Sequence, residues 1–450
     1  MPTRTTRRDF LRTTAALGTC YWVSGSHSFA QSKSPNEKLN VAVIGAGKGS
    51  IGGLQNLPAV SSQYVVAICD VDDLYAGPAF EHYTKARKWY DYRRMLDQQK
   101  DIDAVIVSTP DHLHAVISVA AMRRGQHVYC EKPMARTIYE SRVMRDEARK
   151  NKVVTQMGNQ GTGTPTFRTA VEIIQAGGLG TVKEAHAWTD RPFNNGPNGQ
   201  KGPILWSQGV GRPKQRQPTP SHLKWDLWLG PAPERPYHKL YHPFTWRGWW
   251  DFGSCVLGDM VCHNANLAYM ALKLTAPTTV EAQQEGSTAE TGPLWSHIQY
   301  EFPARDKLPP VTLHWYEGGK QPPAALGLGH PLPNNGSLII GDKGTLLTLD
   351  MYCTKWKILP EANYRDYKPP EPTLPRGLGQ HGEWINACKG QGKTMSNFDY
   401  ASQLVEAMLV GNVAMRTGQK LQWDAEQLKA TNSAAADEFI KPILRKGWLL

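Results

Sequence analysis

Three groups of residues in this 450-residue chain have types and spacings suited to chemistry. The first is Glu131-Lys132-Pro133, which stops the short apolar run Val128, Tyr129 and Cys130. An acid and a base then stand at the carboxyl end of a strand, the end at which an open α/β sheet binds ligands. Proline removes its own backbone donor and stiffens the turn, which suits a lysine held in one place. Alone, the tripeptide reads more readily as a surface turn with two solvated charges. The second group is Asp259 and His263, four residues apart and so on one face of a helix. An acid beside an imidazole can move protons. Half of a metal site, or an N-cap aspartate beside an unrelated histidine, would give the same spacing. A metal needs further ligands and no His-Glu-x-x-His pattern is nearby, so no metal is expected. The third group is the run Gly45-Ala46-Gly47-Lys48-Gly49-Ser50-Ile51-Gly52-Gly53.

Elements of two kinds must position these residues. Residues 39–44 are apolar but for Asn40, as in a buried parallel strand, and they lead straight into the glycines. A second apolar run, 64–69, ends at Asp70. Strand, glycine loop, short helix and strand ending in an acid make a dinucleotide-binding βαβ unit. Glycines let the backbone approach a pyrophosphate at a helix amino terminus, and Asp70 would accept from the adenosine ribose hydroxyls. Gly45 and Gly47 match the Gly-x-Gly-x-x-Gly spacing but position 50 is serine, so Gly49 or Gly52 must serve as the third glycine. No arginine or lysine follows Asp70 before Lys85 to hold a 2′-phosphate, so NAD is expected rather than NADP.

The alternation of strand and helix continues through 104–108, 127–130 and 153–156, with a helix over 138–150, and predicts a doubly wound parallel sheet over 38–157. Beyond 158 the texture changes. A helix over 166–175 and a strand over 180–190 precede a stretch, 191–250, rich in Gly, Pro and Trp. Trp206, Trp225, Trp228, Trp246, Trp249 and Trp250 suit either a carbohydrate wall or anchors for long loops. Runs at 280–284, 297–302, 311–316, 338–341 and 344–350 predict a mostly antiparallel sheet, closed by a helix over 399–417. The fold class expected is α/β, an N-terminal Rossmann sheet with a C-terminal α+β domain over 158–450 that binds substrate and oligomerises.

Composition narrows the classes. An apolar fraction of 40% and a charged fraction of 20% are those of an ordinary globular chain. The formal charge of +11 is spread, with no basic run of five, which gives nucleic-acid binding no support. Six cysteines (Cys69, Cys130, Cys255, Cys262, Cys353, Cys388) lack CxxC spacing and read as buried small hydrophobes. Residues 1–30, with Arg7-Arg8, Phe10-Leu11, a weakly apolar stretch and Ser28-Phe29-Ala30, resemble a bacterial Tat signal, followed by a linker over 31–37. That resemblance implies the Tat translocase as a partner, a periplasmic or exported location, and passage across the membrane already folded, so that a cofactor can be loaded first.

The glycine loop, Cys130-Glu131-Lys132-Pro133 and the Gly-x-x-x-Leu-x-Asp-x-x-x-His run ending at His263 together resemble the Gfo/Idh/MocA oxidoreductases. The resemblance implies hydride transfer between a sugar or polyol CH–OH and a nicotinamide, with the NAD held tightly, and a homo-oligomer is expected. It gives catalytic roles to Lys132, Asp259 and His263: His263 takes the hydroxyl proton, Lys132 stabilises the developing alkoxide, and Asp259 orients substrate and His263. Gly45, Gly47, Gly49, Asp70, Thr109, Pro110, His114 and Glu131 are the residues expected at the cofactor, with 110–114 beside the nicotinamide. The sequence departs from the family pattern at the third glycine and at Val261, where the family usually has glycine. Two other functions fit the same fold: an NAD-dependent glycosidase that oxidises a sugar transiently, and a sugar-binding protein without catalysis.

Overall fold

The computed structural model describes residues 37–48, 50–195 and 200–450. The signal expected over 1–30, almost all of the linker, and Gly49 lie outside the described residues. The first sheet has six strands: β1 (Asn40–Ile44), β2 (Tyr64–Cys69), β3 (Arg87–Trp89), β4 (Ala104–Val107), β5 (His127–Glu131) and β6 (Thr155–Gly158). Their order is β3-β2-β1-β4-β5-β6 and every pairing is parallel. All four residues of β4 and all five of β5 are buried, because helices cover both faces of a doubly wound sheet. The strand order reverses between β1 and β4, and a crevice opens there at the carboxyl ends.

The second sheet has nine strands, of which β7 (Val182–Trp188), β8 (Thr279–Glu285), β9 (Trp295–Phe302) and β10 (Val311–Glu317) form its centre. Its pairings are antiparallel except β7 with β10. Period-two alternation is plain in β9, where Ser296, Ile298, Tyr300 and Phe302 are buried and the residues between are half-buried. The 20-residue helix Phe398–Thr417 lies on this face, its start capped by Asn397. Gly411 lets it approach, since a Cβ there would stand 2.2 Å from the Tyr300 hydroxyl. That hydroxyl donates to the Met408 carbonyl at 2.7 Å.

Several elements differ in extent from the sequence reading. β6 begins two residues later than the apolar run 153–156 suggests, and β3 is short and partly exposed, with no sequence signal. The tryptophans of 191–250 are chiefly anchors: Trp228, Trp246 and Trp249 are buried in one apolar cluster with Leu223, Tyr241 and Phe252. Of the two readings for these rings, anchors or a carbohydrate wall, the first holds for most, while Trp206, Trp228 and Trp246 also line a cavity. The six cysteines are all buried and free.

Candidate active site

One cavity of about 600 Å³ runs from the glycine loop to the Lys132–Asp259–His263 group. At its first end Gly45 has φ +86°, and a Cβ on it would stand 2.6 Å from the Ser108 carbonyl oxygen. The third-glycine role falls to Gly52, where a Cβ would stand 1.7 Å from the Gly45 carbonyl oxygen. Gly52 comes two residues later than the usual spacing. The helix it opens begins as a π-helical turn, Gly52–Asn56, whose wider ring takes up extra chain. Asp70, at the end of β2, accepts from the Ala46 amide at 2.7 Å and the Asp72 amide at 3.0 Å. It thereby ties the glycine loop to its own strand, and burial pushes its carboxyl up despite those amides.

At the other end, the Lys132 ammonium donates to the Asp259 carbonyl oxygen at 2.7 Å and to Asp259 Oδ1 at 3.0 Å. These two bonds leave one of its three N–H groups uncommitted. Arg247 Nε lies 3.4 Å from the same Oδ1. Burial alone would raise the Asp259 carboxyl, but Lys132 and Arg247 hold it down at about 2. His263, one helical turn on, is 6% exposed and its Nδ1 is buried without a partner. Burial and the Lys132 charge push its imidazole down to about 3, so it is neutral at pH 7. The helix Cys255–Asn264 thus presents Asp259 and His263 together, while β5 delivers Lys132 from the first sheet.

The remaining expected residues divide into two sets. Thr109, Pro110 and Glu131 line the cavity with Gly45, Gly47 and Asp70. Glu131 Oε1 accepts from Asn56 at 2.9 Å, and burial pushes the acid up to about 7. His114 does not line the cavity: its ring nitrogens lie 2.8 Å from the carbonyl oxygens of Pro133 and Thr109, so it braces both turns from behind. Nor do Asp259 and His263 hydrogen-bond, since the Asp259 oxygen answers Lys132 and Arg247 instead. Sequence reasoning missed Asp111 and Arg247. Asp111 binds the Ser254 amide and hydroxyl at 3.0 and 2.7 Å across the crevice, and burial pushes it up to about 7. Its only local signal is its place directly after Pro110, at the start of the helix Asp111–Met122 that follows β4. Arg247 sits among tryptophans in a loop without periodicity, where no signal could single it out.

Among the described residues, one cluster of metal-ligand type exists, Glu184, His186 and His314, and it lies apart from this cavity. The His186 ring nitrogens already face Glu184 Oε1 at 2.9 Å and the Tyr316 hydroxyl at 3.3 Å.

The cavity wall fits a dinucleotide. Four of its residues carry buried polar atoms without a protein partner, Thr109 Oγ1, Glu131 Oε2, His242 Nδ1 and His263 Nδ1. A Cβ on Gly45 or Gly52 would strike neighbouring backbone, so the loop that borders the cavity closes only with glycine at both places. Comparison with known proteins agrees. Residues 39–159 match the model of the Gfo/Idh/MocA oxidoreductase family, NAD-binding Rossmann fold, and 198–307 match its C-terminal alpha/beta domain. The chain belongs to the Gfo/Idh/MocA oxidoreductase family. Its N-terminal domain is an NAD-binding Rossmann fold. A levoglucosan dehydrogenase from Pseudarthrobacter phenanthrenivorans is 29% identical over 180 residues, 38% of this chain and 45% of that protein. An inositol 2-dehydrogenase from Salmonella typhimurium is 30% identical over 151 residues, 33% of this chain and 45% of that one. The matches thus span about half the length of these relatives. Among solved structures, the WlbA dehydrogenase from Bordetella pertussis in complex with NADH and UDP-GlcNAcA superposes with a TM-score of 0.60. It is 16% identical and the match covers 86% of this chain and 99% of that one, a likeness of fold.

Proposed function

We propose that this protein is an NAD-dependent oxidoreductase acting on a CH–OH group of a sugar or polyol, and that it is exported by the Tat route. The observation that carries the first part is the shared cavity: one wall holds the glycine loop and Asp70, the other Lys132, Asp259 and His263. Gly45, Gly47 and Asp70 would hold the pyrophosphate and adenosine ribose, with Gly52 packed behind the loop, and Thr109, Pro110 and Glu131 the nicotinamide half. Bound there, the nicotinamide supplies a two-electron acceptor for hydride.

The chain's own residues do the rest. Asp259 fixes the Lys132 ammonium with two acceptors, and the third N–H is left for the substrate oxygen. A cation at that place stabilises negative charge as the hydroxyl loses its proton. His263 is neutral before reaction, so a ring nitrogen can accept that proton. Asp259 then supplies the nearby negative charge that favours the imidazolium. Lys132 comes from the end of β5 and His263 from the helix Cys255–Asn264, so the reacting carbon would lie in the cavity that both line.

The test is NADH formation over a panel beginning with levoglucosan and myo-inositol, the substrates named for relatives. His263→Ala and Lys132→Ala should each lower kcat by ~10²–10⁴-fold while NAD still binds. The double variant should lose less than the product of the single losses, because both serve one proton path. Full activity of His263→Ala on the best substrate would refute the assignment. Release of a phenol from an aryl glycoside without net NADH would move the reading to transient oxidation with hydrolysis.

A further inference from the structure

Residues 441–450 follow the last helix, Asp437–Ile440, and return to the nucleotide-binding domain. Most of this segment is not held by burial. Ile443 is 89% exposed and Leu449 84%, yet Trp448 between them is only 8% exposed. Polar contacts fix the segment instead. The Arg445 amide donates to the Pro231 carbonyl at 2.9 Å, its guanidinium binds Asp226 Oδ1 at 2.6 Å, and the Trp448 amide closes a turn onto the Arg445 carbonyl at 3.1 Å. The Arg93 guanidinium lies 4.4 Å above the Trp448 ring and the Tyr92 ring is 6.3 Å away.

The place of that ring is informative. Trp448 lines the dinucleotide cavity with Tyr92, Leu113 and Ile117. Tyr92 follows β3, and β3 pairs with β2, the strand that ends at Asp70. Leu113 and Ile117 belong to the helix Asp111–Met122 that follows β4. Trp448 therefore stands by Tyr92 and Arg93, just past β3, the strand that pairs with the Asp70 strand β2. In a doubly wound sheet that side takes the adenosine half of the dinucleotide. A flat, rigid indole there offers a stacking face at small entropy cost.

We propose that residues 441–450 form a strap across the adenosine half of the cleft, with Trp448 as one wall of the adenine slot, and that this strap slows release of the cofactor. The inference rests on the NAD reading above and adds a second-domain residue to the cofactor site. A tryptophan that merely filled core space would give the same burial but no dependence on adenine.

The experiment measures NADH release after dilution into excess NAD, and the affinities of NADH and ADP-ribose, in the full chain. Trp448→Ala should speed release and weaken both ligands by the same factor, roughly 10- to 100-fold, the scale of one lost base–aromatic stack. Trp448→Phe should restore most of the loss. Arg445→Ala, which cuts the tether and the 5.9 Å contact of its guanidinium with the Trp448 ring but leaves the indole in place, should speed release by a smaller factor. Unchanged release in Trp448→Ala overturns the inference, as does a loss for NADH with none for ADP-ribose. If Trp448→Ala fails to fold, the phenylalanine and Arg445 variants decide by the same release measurement. Failure of the wild-type chain to bind NADH at all would remove the NAD reading, and the strap with it.

Discussion

Asp259 and Glu317 are both buried acids, and their neighbours send them in opposite directions. Burial raises each, but Asp259 has Lys132 and Arg247 beside it and is held at about 2. Glu317 has only neutral donors, the Trp315 indole at 2.9 Å and Ser296, and is pushed up to about 7. A raised carboxyl contributes its stability fully below the unfolded pKa near ~4.3, and loses it as pH rises through the folded value. Buried histidines such as His263 act against this, since they resist protonation as pH falls below ~6.5. A difference measurement isolates the acid. Relative to wild type, Glu317→Gln should be more favourable at pH 8 than at pH 5 by up to about 3 kcal/mol. Denaturant titrations at the two pH values read this, and an equal effect at both would mean Glu317 ionises normally. Asp70 makes a second prediction at this scale. It lines the cavity beside the glycine loop, and a carboxylate there accepts from ribose hydroxyls but repels a 2′-phosphate, so NAD should bind well ahead of NADP. Asp70→Ala should weaken NAD and narrow that gap; tighter NADP than NAD binding by the wild-type chain would count against it. Asp70, Lys132, Asp259 and His263 were legible because each closes a strand or shares a helix face. Arg247 and Trp448 were not, since both reach the cavity from irregular chain whose course no local pattern sets.

At the scale of elements, the legible parts were those with a period. β1, β2, β4 and β5 read as apolar runs because helices bury both faces of their sheet, and β9 read as alternation because one of its faces is wetter. β3, with two exposed residues of three, carried no such sign. The glycine loop was legible in kind but not in register. The close approach falls at Gly52, two residues past the usual place, where the helix opens with a π-helical turn. Gly52→Ala should therefore abolish NAD binding and lower stability, because the new methyl would meet the Gly45 backbone at 1.7 Å. Gly77, inside the helix Asp73–His82, has nothing within 4 Å of such a methyl. Gly77→Ala should stabilise by about 0.5–1 kcal/mol through helix propensity, with NAD affinity unchanged. Thermal melts and NAD titrations of the two variants side by side check both. Wild-type NAD affinity in Gly52→Ala would return the third-glycine role to another residue.

At the scale of the whole molecule, the cavity lies between two domains that different stretches of chain close. Arg142 of the first domain binds Glu406 of the second at 2.6 Å, and the Met157 amide donates to the Ser396 carbonyl at 2.8 Å. A dinucleotide inside such a crevice cannot thread through a channel with an unfolded chain. It must enter once both sheets are assembled. If Arg7-Arg8 directs export of the folded protein, loading precedes crossing, in the compartment where NAD is made. Three outcomes are expected together. Arg7→Lys with Arg8→Lys should hold the precursor in the cytoplasm. The exported wild-type protein should carry NAD when its intact mass is measured under native conditions. The retained double variant should carry the same load, since the cleft is untouched. Unchanged periplasmic yield from the double variant would mean that residues 1–30 are misread. An exported form free of NAD beside a loaded cytoplasmic one would keep the export signal and deny that the cofactor travels with the chain.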